Sequence, residues 1–569
     1  MARLTGSRLR AFATLVERVA PARALVAHLA IGRTLREGPV PDASLAPTTS
    51  AVVPRHADAD SPESDIPLHA LATARAGRVG YATIAQHARA FRSGALDPVD
   101  LLDEFVRAQQ HSDAQQPPLR AFLEVFYATA RAEAEASRAR HKAGAPLSIL
   151  DGVPVCVKDQ VNVRGVATTG GSRRAFWIAD DDSTIIARLR TRGAIIVGRN
   201  TMHELGLGAT GFSPVGTARN PWDPRHASGG SSSGTSVAVA AGLVPIAVGS
   251  DGGGSIRLPA SLCGIVGLKP TFGRISKTGT LGIVPTFGHF GPMTPSVVDN
   301  AVLFAALAGR DPRDPPTLHQ PPLNGDALVA ALQARDLRGV KIGVDRAWCT
   351  AADAPILARF EELLELLGQR GAVVVELDIP PAFHARAGAC HAVLAGTEVS
   401  AFLHARGMPM HELAAATRLA PLLASGLPAS LLDDARRLRQ SLRAEWVQRT
   451  SDVDVVASPS TATVAPLLHD DLFAGPSPDG EIDVTTLQAL SRFTTHGNLF
   501  GHPGIGLPMG FVGALPFGLQ LQGRDFDEIM LYRVAAVVED LVRERWPDEA
   551  TRTPARREAV ADLVQRAAA

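Results

Sequence analysis

The sequence has little cysteine and no charge imbalance. Four cysteines, Cys156, Cys263, Cys349 and Cys390, are scattered over 569 residues. None forms a CxxC pair, which excludes a disulfide framework and a structural zinc site; they read as reduced core thiols of a cytoplasmic protein. Lys plus Arg and Asp plus Glu number 57 each, so the formal net charge is zero. That balance argues against a polyanion binder, and no nucleic-acid partner is expected. No uncharged apolar run approaches the roughly 20 residues that a membrane span needs. No apolar core followed by a small-residue cleavage site is present, so a secretory leader is not expected. The chain contains no internal repeat.

Several motifs are missing a decisive member. Gly234 is followed by Thr235 and Ser236, so a Walker loop would lack its lysine. No GxGxxG falls at a strand-to-helix junction. His203-Glu204 opens like a zinc HExxH motif, but position 207 is leucine. The acidic run Asp180 to Asp182, with Ser183, reads as the cap of a helix starting at Thr184 rather than as a metal site. No metal and no cofactor is implied.

At 46% hydrophobic residues the chain can bury a large core. Leu9, Phe12, Leu15, Val16 and Val19 recur at helical spacing, and Leu25, Val26, Leu29 and Ile31 follow Pro21. These predict two amphipathic helices joined at Pro21. The pair either packs on the body or offers a surface to a membrane or an apolar substrate, given its arginine-rich polar side. Residues 38–66, rich in Pro, Ser, Ala and Asp, predict a linker or wrapping segment. Helices are expected over 81–145, and a further one opening at Met202. From Leu150 the texture becomes β-α-β: strand 152–158, helix 184–192, strand 194–198. A second such unit spans strand 340–344, helix 355–370 and strand 373–377. This rhythm predicts an α/β fold, a central sheet with helices on both faces. Long helices over 380–450 can line a substrate channel. Strands follow at 453–457 and, short and broken by Gly and Pro, over 498–523, and a helix over 525–544. The expected division is an N-terminal helical pair with linker (1–66), one large domain (67–550) and a charged tail (551–569).

The chain is organised around Gly229 to Lys269. Two glycine-serine clusters, 229–234 and 251–255, flank an apolar run from Val237 to Val248. Disordered linkers do not alternate with core-forming segments in this way, so the stretch predicts a reaction centre on buried scaffold. Gly230 to Gly234 satisfies the GxSxG nucleophile elbow, but that elbow needs a preceding strand. Residues 220–226, with two prolines, cannot supply a central one. Ser255 is the better nucleophile. The glycines before it let backbone N–H groups approach a reacting carbonyl closely. A hydroxyl also needs a base. Lys158, at the end of an apolar strand, is either a snorkelling surface residue or a desolvated lysine kept neutral for that purpose.

Lys158-Asp159 in its VxVKD setting, the GGSSSG cluster and Asp251-Gly252-Gly253-Gly254-Ser255-Ile256-Arg257-Leu258-Pro259 together resemble the amidase signature family. The resemblance implies a large mixed central sheet and a catalytic triad. Lys158 matches the base, Ser231 the bridging serine in a cis peptide, and Ser255 the nucleophile. The N–H groups of Gly252, Gly253, Gly254 and Ser255 match the oxyanion hole. Ser232, Asp251 and Arg257 match supporting positions, and Met202 and Gly230 match positions that touch substrate. Met202 to Gly206, Gly216-Thr217 with Arg219-Asn220-Pro221, Asn498 to Gly501 and Gly518-Leu519-Gln520 resemble the plant-type fatty acid amide hydrolase branch. That branch implies a small-molecule amide substrate with an apolar acyl chain, an acyl-enzyme on Ser255, a homodimer, and peripheral membrane contact through the N-terminal helices. Three alternatives stand beside it: a glutaminase-type subunit of a tRNA amidotransferase with a tight partner chain, a general small aliphatic or aryl amidase, and a non-catalytic binding protein. The complete Lys-Ser-Ser set counts against the last.

Overall fold

Short runs rich in Val and Ile, bounded by Gly, Pro or Asp, form the strands of an 11-stranded mixed sheet. The first half of the chain supplies β1 (Phe122–Val125), β2 (Pro154–Lys158), β3 (Ile195–Asn200), β4 (Ile246–Asp251), β5 (Val266–Lys269) and β6 (His289–Thr294). The second half adds β7 (Lys341–Val344), β8 (Val373–Glu376), β9 (Val455–Pro459), β10 (Gly504–Val512) and β11 (Leu515–Gly523). Their spatial order is β8-β7-β9-β11-β10-β5-β6-β4-β2-β3-β1. β2 runs parallel to both neighbours, β3 and β4, and β7 runs parallel to β8 and β9. The remaining pairs are antiparallel. The computed structural model describes residues 4–18, 56–61, 66–468 and 481–569. The expected helix after Pro21 and the expected linker up to residue 55 lie outside the described residues.

Helices cover both faces. α1 (Gly6–Arg18) lies at the N-terminus. α2 (Ser233–Ala240) and α3 (Arg257–Cys263) follow the two glycine-serine clusters. α4 (Val297–Leu307) is buried at every position. α5 (Pro381–Ala405), α6 (Ala415–Ala424) and α7 (Ala429–Arg449) make up the helical region expected over 380–450. α8 (Thr495–Phe500) precedes β10, α9 (Glu528–Arg545) follows β11, and α10 (Val560–Ala568) ends the chain. No described helix is long and apolar enough to cross a membrane. The alternation of β2 divides the core. Val155 and Val157 pack with α4 on one face, while Cys156 packs with α2 on the other.

Four expectations change. Residues 202–205 open no helix. Leu205 has φ 52° and Gly206 φ 71°, and the chain makes a single 3-10 turn, because a right-handed helix does not pass through left-handed residues. The helical stretch expected over 81–145 is interrupted by edge strand β1. The short strands over 498–523 are two nine-residue strands forming a hairpin. The charged tail is a docked helix: Val560, Ala561, Val564 and Ala568 form one apolar face, buried against the body.

Candidate active site

β2 and β4 are parallel neighbours, so their C-terminal ends lie side by side. β2 ends in Lys158 and β4 in Asp251. Lys158 is 0% exposed. Its Nζ lies 2.7 Å from Ser231 Oγ, 2.8 Å from Ser250 Oγ and 3.3 Å from the Ser250 carbonyl oxygen. Ser250 Oγ donates to Gln160 Oε1. Burial pushes the lysine down to about 7, against the opposing pull of the Asp251 carboxylate. Of the two sequence readings for Lys158, the snorkelling surface lysine is therefore excluded.

The Gly230–Ser231 peptide is cis. The Ser231 carbonyl accepts the His203 N–H at 3.0 Å, which ties this loop to the turn at 204–206. Ser232 opens α2 and bridges both sides of the site. Its Oγ donates to the Ser250 carbonyl at 3.0 Å and accepts the Ser250 N–H at 3.2 Å. Its own N–H donates to the Ser255 carbonyl at 3.2 Å. The two glycine-serine clusters are thereby joined at the backbone.

Ser255 is 8% exposed and leads into α3. Its Oγ hydrogen-bonds to none of the described residues. Asp251 shapes the loop before it, accepting the Gly254 N–H at 2.6 Å and the Ile256 N–H at 3.1 Å. Arg257, fully buried, donates to both Asp251 oxygens at 3.0 and 3.1 Å. It also donates to Gln520 Oε1 and Asn498 Oδ1, each at 2.6 Å. Burial alone would raise the Asp251 carboxyl, but the Arg257 guanidinium holds it far below the usual carboxylate range. This arrangement corrects one expectation. The Gly254 N–H is committed to Asp251 and is not free for an oxyanion. The N–H groups of Gly252, Gly253 and Ser255 donate to none of the described residues.

The two residues expected to touch substrate are placed differently from the serines. Met202 is 0% exposed and packs behind Gly171, where a Cβ would meet Met202 O at 2.7 Å. Gly230 is buried against Gly211. Sequence reasoning missed four polar side chains that hydrogen-bond into the site: Ser250 to Lys158, Gln160 to Ser250, His391 to the Gly252 carbonyl and Thr494 to the Gly253 carbonyl. Ser250 abuts the signature at Asp251 and Gln160 lies two residues beyond Lys158, so proximity to the motif was their signal. His391 on α5 and Thr494 before α8 carried none.

A family model described as Amidase matches residues 104–532. Among curated proteins, the fatty acid amide hydrolase of Arabidopsis thaliana is 33% identical over 470 residues, covering 81% of this chain and 76% of its own. A glutamyl-tRNA(Gln) amidotransferase subunit of Chloroflexus aggregans is 35% identical over 485 residues, covering 80% of this chain and 95% of its own. Among solved structures, the native peptide amidase from Stenotrophomonas maltophilia superposes with TM-score 0.66 at 27% identity, covering 79% of this chain and 95% of that one. With a buried lysine on a cis-peptide serine beside a glycine-flanked second serine, this chain belongs to the amidase family.

Proposed function

We propose that the chain is a serine amidohydrolase that cleaves N-acyl amides with an apolar acyl chain, through an acyl-enzyme on Ser255. The contact between buried Lys158 and Ser231 carries this reading. Proton accounting gives it a direction. Ser250 Oγ spends its only proton on Gln160, and a backbone carbonyl has none to give. Both must therefore accept from Lys158. A neutral amine has two N–H bonds and one lone pair. The lone pair is left for the Ser231 hydroxyl.

Ser231 passes its proton to Lys158 and takes one from Ser255. Ser255 Oγ then bonds to the amide carbon. The oxyanion is met by the free N–H groups of Gly252, Gly253 and Ser255. The C–N bond breaks as the same relay returns a proton to the nitrogen, which is a poor leaving group until protonated. Water, giving a proton to the relay, bonds to the acyl carbon; the bond to Ser255 Oγ then breaks, the relay returns the proton to Oγ, and the acid leaves. Ser255 Oγ is not hydrogen-bonded to Ser231 in the free enzyme; such contacts commonly tighten only with substrate bound.

An apolar wall supports the acyl assignment. Leu205, Leu281, Ile283, Val399 and Leu403 form a buried cluster, with Val284 packed against it. Leu205 precedes Gly206, where a Cβ would lie 3.3 Å from Ser231 Oγ. Val284 Cγ2 would lie 3.1 Å from a Cβ on Gly252. The cluster thus borders both serine loops. Similarity to the plant fatty acid amide hydrolases points the same way. A glutaminase-type subunit is the second reading, favoured by the equal likeness to the Chloroflexus protein.

Steady-state rates on a panel from acetamide through aryl amides to long-chain N-acylethanolamines, with glutamine alongside, test the proposal. The expected result is a kcat/KM that rises with acyl length, and a Ser255→Ala protein that loses about 1,000-fold or more of its turnover. Rates that stay flat or fall with chain length remove the apolar acyl chain. Turnover on glutamine alone favours the second reading.

A further inference from the structure

The loop before Ser255 is held by its carbonyl groups. The Asp251 carbonyl accepts from Asn498 Nδ2 at 2.7 Å, the Gly252 carbonyl accepts from His391 Nε2 at 2.7 Å, and the Gly253 carbonyl accepts from Thr494 Oγ1 at 2.7 Å. The Gly254 carbonyl accepts the Leu258 N–H at 2.7 Å. Four consecutive carbonyls are thus held by four donors from α5, α3 and the segment around α8.

A trans peptide is planar, and its C=O and N–H point in opposite directions. Fixing the carbonyl of one residue therefore aims the N–H of the next. Asn498 aims the Gly252 N–H, and His391 aims the Gly253 N–H. Thr494 fixes the peptide whose N–H is already held by Asp251. That unit is locked at both ends and anchors the other two. Only glycine fits at 254, because a Cβ there would overlap Thr494 Oγ1.

Resting on the acyl-enzyme reading above, we propose that His391 and Thr494 are positioning residues that hold the Gly252–Ser255 loop so that its free N–H groups face the developing oxyanion. Neither touches the reacting atoms. His391 suits this role. A carbonyl oxygen can only accept, so Nε2 must carry the ring proton. Phe287 packs against the imidazole with ring centroids 5.1 Å apart, which fixes its plane. Burial pushes its pKa below the ordinary histidine value, which favours the neutral ring.

Preorganised donors act on the transition state more than on the bound substrate, so their loss reduces kcat and spares KM. The test compares two pairs of variants on a chromogenic long-chain acyl anilide. His391→Leu and Thr494→Val remove the donor; His391→Gln and Thr494→Ser keep one. The expected result is a kcat lowered about 30- to 100-fold in the first member of each pair, with KM within about twofold, and recovery of most of that loss in the second. Two results overturn the inference: donor-less variants whose kcat stays within about threefold of wild type, or His391→Gln and Thr494→Ser proteins as impaired as their partners. Thermal melting is measured on all four. If His391→Leu fails to fold, the Thr494 pair decides by the same ratio. Ser255→Ala separates the two levels of argument. Turnover surviving there removes the acyl-enzyme, whereas a dead Ser255→Ala beside an unimpaired His391→Leu removes only the clamp.

Discussion

A lysine serves as a base only when it is neutral, and burial brings the neutral form of Lys158 within reach near pH 7. Burial brings its pKa down to about 7 from 10.5. Below about 7 the amine carries a third proton and has no lone pair for Ser231; above it the relay is open. The pH profile of kcat/KM is therefore expected to have an acid limb with an apparent pKa near 7, falling tenfold per unit below it. An acid limb centred below pH 5 sinks the role of Lys158 as base. At this scale the sequence was informative about the groups proposed to react and silent about the polar side chains packed around them. Lys158, Ser231 and Ser255 stand in short motifs whose spacing sets them apart. Ser250 and Gln160 are common residue types near the motif, and their role appears only when β2 and β4 align. His391 is 136 positions beyond Ser255 on a helix with no distinguishing pattern, so only the tertiary fold brings it to Gly252.

Elements with a clean apolar period were legible before they were placed. β2 and β3 read directly as buried strands, because a strand covered on both faces is a continuous apolar run, and β7, its following helix and the part-exposed edge strand β8 read as a β-α-β crossover. Elements whose pattern was diluted were not. α10 was hidden by Arg556, Arg557 and Glu558, which precede it, and by Asp562 and Arg566 on its outer side. Its inner side is apolar, and Val564 is fully buried among residues of the helices at 84–93 and 98–114. Placing a carboxylate there buries a charge with no partner. Val564→Asp is expected to destabilise the protein by about 3 kcal/mol, read as a lowered midpoint in urea unfolding. An unchanged midpoint shows that the terminal segment does not contribute to the core. The turn at 204–206 failed for a different reason. Met202 to Leu205 has good helix formers, but the following Gly206 and Gly208 allow the sharp reversal that brings His203 back to Ser231.

The N-terminal end of the described chain backs the site through packing rather than chemistry. α1 lays Leu9, Ala13 and Val16 against Ala415, Leu419 and Leu422 of α6, and Glu17 pairs with Arg418 at 3.5 Å. The backbone immediately before α6 is tied inward: the Ala414 N–H donates to Glu204 Oε2 at 3.0 Å. Glu204 begins the turn whose Gly206 faces Ser231. α6 in turn packs on α5, which contributes Val399 and Leu403 to the apolar wall. α1 therefore buttresses the wall that the acyl chain is proposed to use, and stands behind α6 and the turn that faces Ser231. Removing residues 1–18 uncovers the apolar side of α6 and loosens that wall while leaving the sheet ends and their loops in place. The expected outcome is selective. Against a short amide, kcat/KM stays within about twofold of the full chain; against a long-chain acyl amide, KM rises about fivefold or more, a cost of ~1 kcal/mol in binding. Equal loss on both substrates refutes a wall-supporting role and makes α1 a general stabiliser. Equal activity on both shows that the acyl chain does not reach the surface backed by α5 and α6.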